Sequence, residues 1–169
     1  MIRDIVKYPE KSLTEVSSTI TEFGEDLDSL VNDMFETLYA APGIGLAAPQ
    51  VGVNERVVVI DLTAGEEEGH QIVLVNPEVV EESGIQKEEE GCLSLPGLQA
   101  VVERPARVKV VARDLKGKEF EIEGTELLAR ALSHEIDHLY GVLYIEKLPF
   151  IKKDLMKRKI RKLIKAGEW

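Results

Sequence analysis

The stretch ARALSHEIDHLYGVLY, residues 129–144, holds two of the chain's three histidines, His134 and His138, with Glu135 directly after the first. Residues four apart on a helix project from one side, so both imidazoles can reach one metal ion if the segment is helical. The surrounding spacing predicts that it is. Leu127, Ala131, His134 and His138 fall on one stripe, and Leu128, Leu132, Glu135 and Leu139 on the next. Both stripes are otherwise apolar, so the three polar groups are expected to point toward a core. Gly124-Thr125 opens this helix, and Gly141 follows Tyr140 as its stop. Two packed histidines beside a chance glutamate would leave buried polar groups without a purpose. A metal centre gives them one.

Working outward, EDLDSLVNDMFETLYA (residues 25–40) predicts an earlier helix, with Leu27, Leu30, Val31, Met34, Phe35 and Leu38 on its apolar face. Two Pro and three Gly in PGIGLAAPQVG then predict a special loop, followed by a strand at RVVVI. QIVLVNP and EVVEES read as two further strands, and RVKVVARD and KEFEIEG as a hairpin around LKGK. Pro149 can begin a last helix over 150–165. The fold class is therefore α+β. Mostly antiparallel, short-stranded sheets surround a central metal-binding helix, with one helix before them and one after. A length of 169 residues suits a single domain over 1–169.

The apolar runs are strand-sized, so no membrane span is expected. No basic patch leads into an apolar run, and the single cysteine, Cys92, fits a reducing cytoplasm. A net charge of -10 argues against a chain built mainly for nucleic acid. The charge is uneven, however: residues 151–165 carry eight Lys or Arg and one Asp, +7 locally, leaving -17 elsewhere. That is an acidic body with a basic arm.

H-E-x-x-H on a helix is a zinc-hydrolase pattern with the Glu as general base. A carboxyl group buried on that helix has its pKa raised, which suits a group that takes a proton and returns it. Catalytic metal sites usually have three protein ligands and an open position. Glu146 is the downstream candidate for the third. Upstream, Cys92 in EEEGCLSLPG offers a thiolate, a strong ligand for a borderline-soft ion. The residues alone leave both open.

Three segments in order, GIGLAAPQ (43–50), EGCLS (90–94) and HEIDH (134–138), resemble the signature motifs of the peptide deformylases, and KYPE near the start resembles their N-terminal segment. The resemblance spans essentially the whole chain. It implies that Cys92, His134 and His138 hold one divalent metal with water as fourth ligand. Fe(II) is the expected metal, with nickel, cobalt or zinc as substitutes. It implies removal of the N-formyl group from the initiator methionine of new peptides, releasing formate, with Glu135 as general acid and base. It places the Gln50 amide and the Leu93 backbone N–H at the oxyanion. Gly43 and Gly45 would pair with the substrate backbone, while Ile44, Leu127 and the His134 ring line the methionine pocket. Glu90, Arg104 and Asp137 would support the ligands from behind.

The chain departs from the family in places. Ser133 stands where many members have Gln, which bears on a hydrogen bond beside the site. Gln99 and Arg130 bear on the rim and the side-chain pocket. For the basic arm, whose apolar face is Met156, Ile160, Leu163 and Ile164, the resemblance to bacterial members with such tails implies docking to ribosomal RNA; a helix packed on the body with a solvated basic face is the plainer reading. A monomer is expected. Two other readings compete: an ordinary H-E-x-x-H peptidase, which would not need Cys92, and a ribosome-associated module without chemistry.

Overall fold

In the computed structural model, which describes residues 1–169, helix α1 (Glu25–Ala40) follows Gly24, which gives no side-chain cap. Glu25, Asp26 and Asp28 occupy its first turn instead, where the helix dipole favours negative charge. The chain continues through β1 (Gly45–Ala47), β2 (Val57–Ile60), β3 (Ile72–Ser83), β4 (Gln86–Cys92), β5 (Leu95–Arg104), β6 (Arg107–Arg113) and β7 (Glu119–Thr125). Helices α2 (Glu126–Leu139) and α3 (Phe150–Lys165) complete it. This is the α+β order that the patterning predicts.

The strands form a five-stranded sheet, β1-β2-β3-β6-β7, and a separate two-stranded sheet, β4-β5. Every strand pair is antiparallel. Two local readings change. QIVLVNP and EVVEES are one strand, β3, whose register against β6 shifts between Val75 and Glu78. Asn76 sits there with φ 50°, and its amide bonds both the N–H and the C=O of Ile20. The Asn-Pro pair thus marks a bulge rather than a strand end. The GIGLAAPQ segment, expected as loop, forms edge strand β1 and then a 3-10 turn, Ala48–Val51.

Helices cover both faces of the larger sheet, which is why all four residues of VVVI are buried. Val57 and Val59 pack with Leu30, Met34 and Leu38 of α1. Val58 and Ile60 pack with Ala129, Leu132, Ile136 and Leu139 of α2. A third cluster joins Leu95, Leu98 and Val102 of the β4–β5 hairpin to Leu13, Tyr144, Ile145 and Ile160. Each fully buried Leu contributes about 2 kcal/mol. Gly141 ends α2 at φ +76°, where a Cβ would stand 2.6 Å from the Thr14 carbonyl oxygen. Helix α3 rests on the body mainly through Ile160, with Met156 and Leu163 half-buried. Ile164, expected on its apolar face, is exposed, as are Phe150, Ile151 and Leu155. No helix is long and apolar enough to cross a membrane.

Candidate metal centre

The inner face of α2 carries His134 and His138, both buried, with ring centroids 5.0 Å apart at 71°. The β4–β5 hairpin swings Cys92 onto them. Its Sγ lies 3.5 Å from Nε2 of His138, and one ligand atom from each of the three residues lies within 4.8 Å of the others. Metal–ligand bonds of about 2.0–2.3 Å in a tetrahedron set donors roughly 3.3–3.8 Å apart. One divalent ion therefore fits with a slight tightening. Glu146, the other candidate ligand, instead pairs with Lys153 and Lys157 of α3.

A buried polar chain stands behind the imidazoles. Glu90 Oε1 lies 2.8 Å from Nδ1 of His134, which leaves Nε2 to face the centre. Arg104 donates to Glu90 through Nε at 2.9 Å and Nη2 at 3.0 Å, and through Nη1 to Asp137 at 2.7 Å. Burial would raise the Glu90 carboxyl, but the His134 and Arg104 hydrogen bonds overcome it and hold the pKa at about 2. Burial likewise opposes protonation of His134. The charge of Glu135 and the hydrogen bonds to Cys92 and Glu90 outweigh it and hold the imidazole well above its ordinary value. Burial, reinforced by charge at His134 and Arg104, holds His138 well below its ordinary value, in the neutral form that metals take. Its Nδ1 finds no partner on the chain.

Glu135 is buried beside the histidines, with Oε2 4.0 Å from Nε2 of His134. Oε1 makes no hydrogen bond. Burial raises this carboxyl to about 7, with His134 pulling the other way. Backbone comes very close here: a Cβ on Gly45 would lie 2.6 Å from Oε2. Gln50 approaches from the 3-10 turn. Its Oε1 accepts the Ala47 N–H at 2.9 Å, so Nε2 turns to the centre, 3.6 Å from Cys92 Sγ and 3.2 Å from Ser94 Oγ. The Leu93 N–H has no acceptor within the chain.

Gln50, Cys92, Leu93, His134 and Glu135 line a cavity of about 860 Å³, together with Gly43 and Ile44, which lead into β1, and Gly45 at its start. Leu127, expected to line the methionine pocket, is among the residues that line the cavity and is 47% exposed, in the first turn of α2. Arg130 lines the cavity too, with Nη2 on the Glu89 carbonyl at 2.8 Å, and Gln99 is at the exposed rim. Three contributors escape the sequence reading. Ser94 receives the Gln50 amide, Tyr144 stacks near His134 at 6.2 Å, and Ile5 reaches the cavity wall. Only Ser94 had a signal, its place beside Cys92 in EGCLS.

Known proteins give the same picture. Residues 2–154 match the polypeptide deformylase family. The peptide deformylase of Acidobacterium capsulatum is 53% identical over 169 residues, covering 100% of this chain and 99% of that protein. Among solved structures, a peptide deformylase from Legionella pneumophila superposes with a TM-score of 0.91 at 45% identity, covering 99% of this chain and 98% of the other. One from Plasmodium falciparum gives 0.90 at 36%, covering 96% and 95%. The chain belongs to the peptide deformylase family, metallohydrolases whose activity is to remove the N-formyl group from nascent peptides.

Proposed function

We propose that this chain deformylates N-formyl-methionyl peptides through Cys92, His134 and His138 as metal ligands and Glu135 as general acid and base. The observation that carries this is the convergence of the hairpin thiol on two α2 imidazoles next to an unpaired, buried carboxyl group. A divalent ion held there supplies Lewis acidity and an acidified water. Glu135 takes the water proton through its free oxygen and returns it to the departing amine. Gln50 Nε2 and the Leu93 N–H donate to the formyl oxygen as charge develops on it. Gly43 and Ile44, leading into β1, and Gly45 at its start offer an open edge, where an extended substrate backbone adds as a strand. Ile44, Leu127 and the His134 ring receive the methionine side chain. Arg104, held between Glu90 and Asp137, fixes the His134 tautomer through Glu90.

One thiolate with two imidazoles suits a borderline ion. We take Fe(II) as resident, with Ni, Co or Zn able to substitute. The whole of 1–169 serves as one catalytic domain, a cytoplasmic monomer. Its basic arm, 150–165, docks on ribosomal RNA: Lys152, Arg158, Lys159, Arg161, Lys162 and Lys165 of α3 are all exposed, and phosphate contacts make such docking salt-dependent. Removal of 151–169 should abolish co-sedimentation with ribosomes; unchanged sedimentation would refute the docking. The catalytic assignment is tested by formate release from an N-formyl-Met tripeptide, with protein purified without oxygen. C92A and E135A should both lose activity, and retention of activity in either removes that residue from the mechanism.

A further inference from the structure

Gln50 spends its carbonyl oxygen on the Ala47 N–H, which settles which way the amide faces but not its rotation about that bond. Both hydrogens of Nε2 must then be placed. One is directed at Ser94 Oγ, 3.2 Å away, and the other faces the metal centre, where Nε2 lies 3.6 Å from the Cys92 sulfur. Ser94 is fully buried, so no bulk water competes for that contact. The two backbones are also tied together by one extended segment: the Val6 N–H donates to the Gln50 carbonyl at 2.8 Å, and the Tyr8 N–H to the Ser94 carbonyl at 2.9 Å. Ser94 and Gln50 thus form one rigid unit at the edge of the metal centre, although they lie on different elements.

We propose that Ser94 is a positioning residue for deformylation: its hydroxyl takes one N–H of the Gln50 amide and so aims the other at the oxygen on which negative charge develops. Ser94 touches neither metal nor substrate in this role. A primary amide donates in two fixed directions, so retiring one hydrogen to Ser94 determines the other. Without the hydroxyl, one buried N–H is left unsatisfied and the amide can rotate toward any acceptor it finds. The inference rests on Gln50 serving the oxyanion, as proposed above.

The experiment is a double-mutant cycle on the metal-loaded enzyme, using S94A, Q50A and the double variant, with kcat, KM and metal content measured for each. Loss of one such hydrogen bond predicts a fall in kcat of about five- to tenfold in S94A, with KM and bound metal unchanged. S94C, which keeps the shape but is a weaker acceptor, should fall between wild type and S94A, and it keeps the test available if S94A folds poorly. Added to Q50A, the Ser94 substitution should cost less than about twofold, because its only route to the reaction has been removed. Wild-type kcat in S94A, or an equal loss with and without Gln50, would overturn the proposal. Loss of metal in S94A would assign Ser94 to the metal ligands' support and overturn it equally. Full activity in Q50A would overturn the oxyanion reading itself, and the Ser94 proposal with it.

Discussion

A single methyl group at Gly45 should disable the site while leaving the fold intact. An alanine Cβ there would stand 2.6 Å from Oε2 of Glu135, 2.9 Å from its Cγ and 3.0 Å from its Cδ. Ordinary contact begins near 3.4 Å, so one side must yield by about 0.8 Å. The backbone at 45 is held in register with Ile60, whereas the Glu135 carboxylate has one oxygen with no hydrogen bond. The carboxylate is the part that moves. A misplacement of roughly 1 Å in a catalytic group costs on the order of 100-fold in rate, while overpacking at one methyl costs about 1–2 kcal/mol of stability. G45A should therefore melt cooperatively, bind one metal and release formate about 100-fold more slowly. G43A is the comparison, because its Cβ meets the Leu38 and Leu93 side chains, at 3.0 and 3.1 Å, and not Glu135; it should lose less than about tenfold. A G45A kcat within threefold of wild type, with metal bound, would refute the placement of Glu135 as the group whose position limits the reaction.

Three further outcomes follow from charge and packing. Glu135 must be ionised to accept a proton, so the rate should fall as pH falls through its pKa, about 7 in the metal-free protein and lower with a divalent charge beside it; a kcat/KM profile whose acid limb survives in E135D at the same pH would assign that limb elsewhere. Glu90 has its pKa lowered to about 2 from 4.5, so its ionisation stabilises the fold fully above pH 4.5, and that contribution is lost as pH falls toward 2. The stability gap between wild type and E90Q, on the order of 3 kcal/mol, should hold at neutral pH and close across that window in acid unfolding; a gap that does not change with pH would contradict it. Leu132 is fully buried between α2 and the sheet, so L132A should cost about 3 kcal/mol and lower the Tm by roughly 10 °C in calorimetry; an unchanged Tm would contradict the packing.

Helices and hairpin were legible because their signals are local. The spacing of Leu27 to Leu38 gives the bounds of α1, and LKGK lies between β6 and β7. The two strands read around Asn76-Pro77 failed for a reason that is not local. Only the contact with Ile20, far away in the chain, shows that Asn76 bends the strand instead of ending it. The site divides in the same way. His134, Glu135 and His138 are set by helical spacing alone. Cys92 lies 46 residues before His138, on a hairpin whose approach depends on how Leu95, Leu98 and Val102 pack against Tyr144 and Ile145. No pattern in EEEGCLSLPG states that distance. Ser94 and the Val6–Tyr8 segment are harder still, since their contribution is a hydrogen bond to a residue whose own role depends on the assembled centre.

The two halves of the ligand set belong to different sheets. His134 and His138 ride on the helix that seals the five-stranded sheet, and Cys92 sits at the end of the separate hairpin. Ligation therefore works as a staple between two sub-assemblies whose backbones share no strand pairing. It closes a loop of chain that otherwise rests on apolar contacts and on the Glu90–His134 and Arg104–Asp137 hydrogen bonds. The three ligands meet only when both halves are docked, so ion binding and docking are coupled. The first region to open when the ion leaves is then the hairpin, where amide hydrogen exchange would register the loss before the larger sheet does.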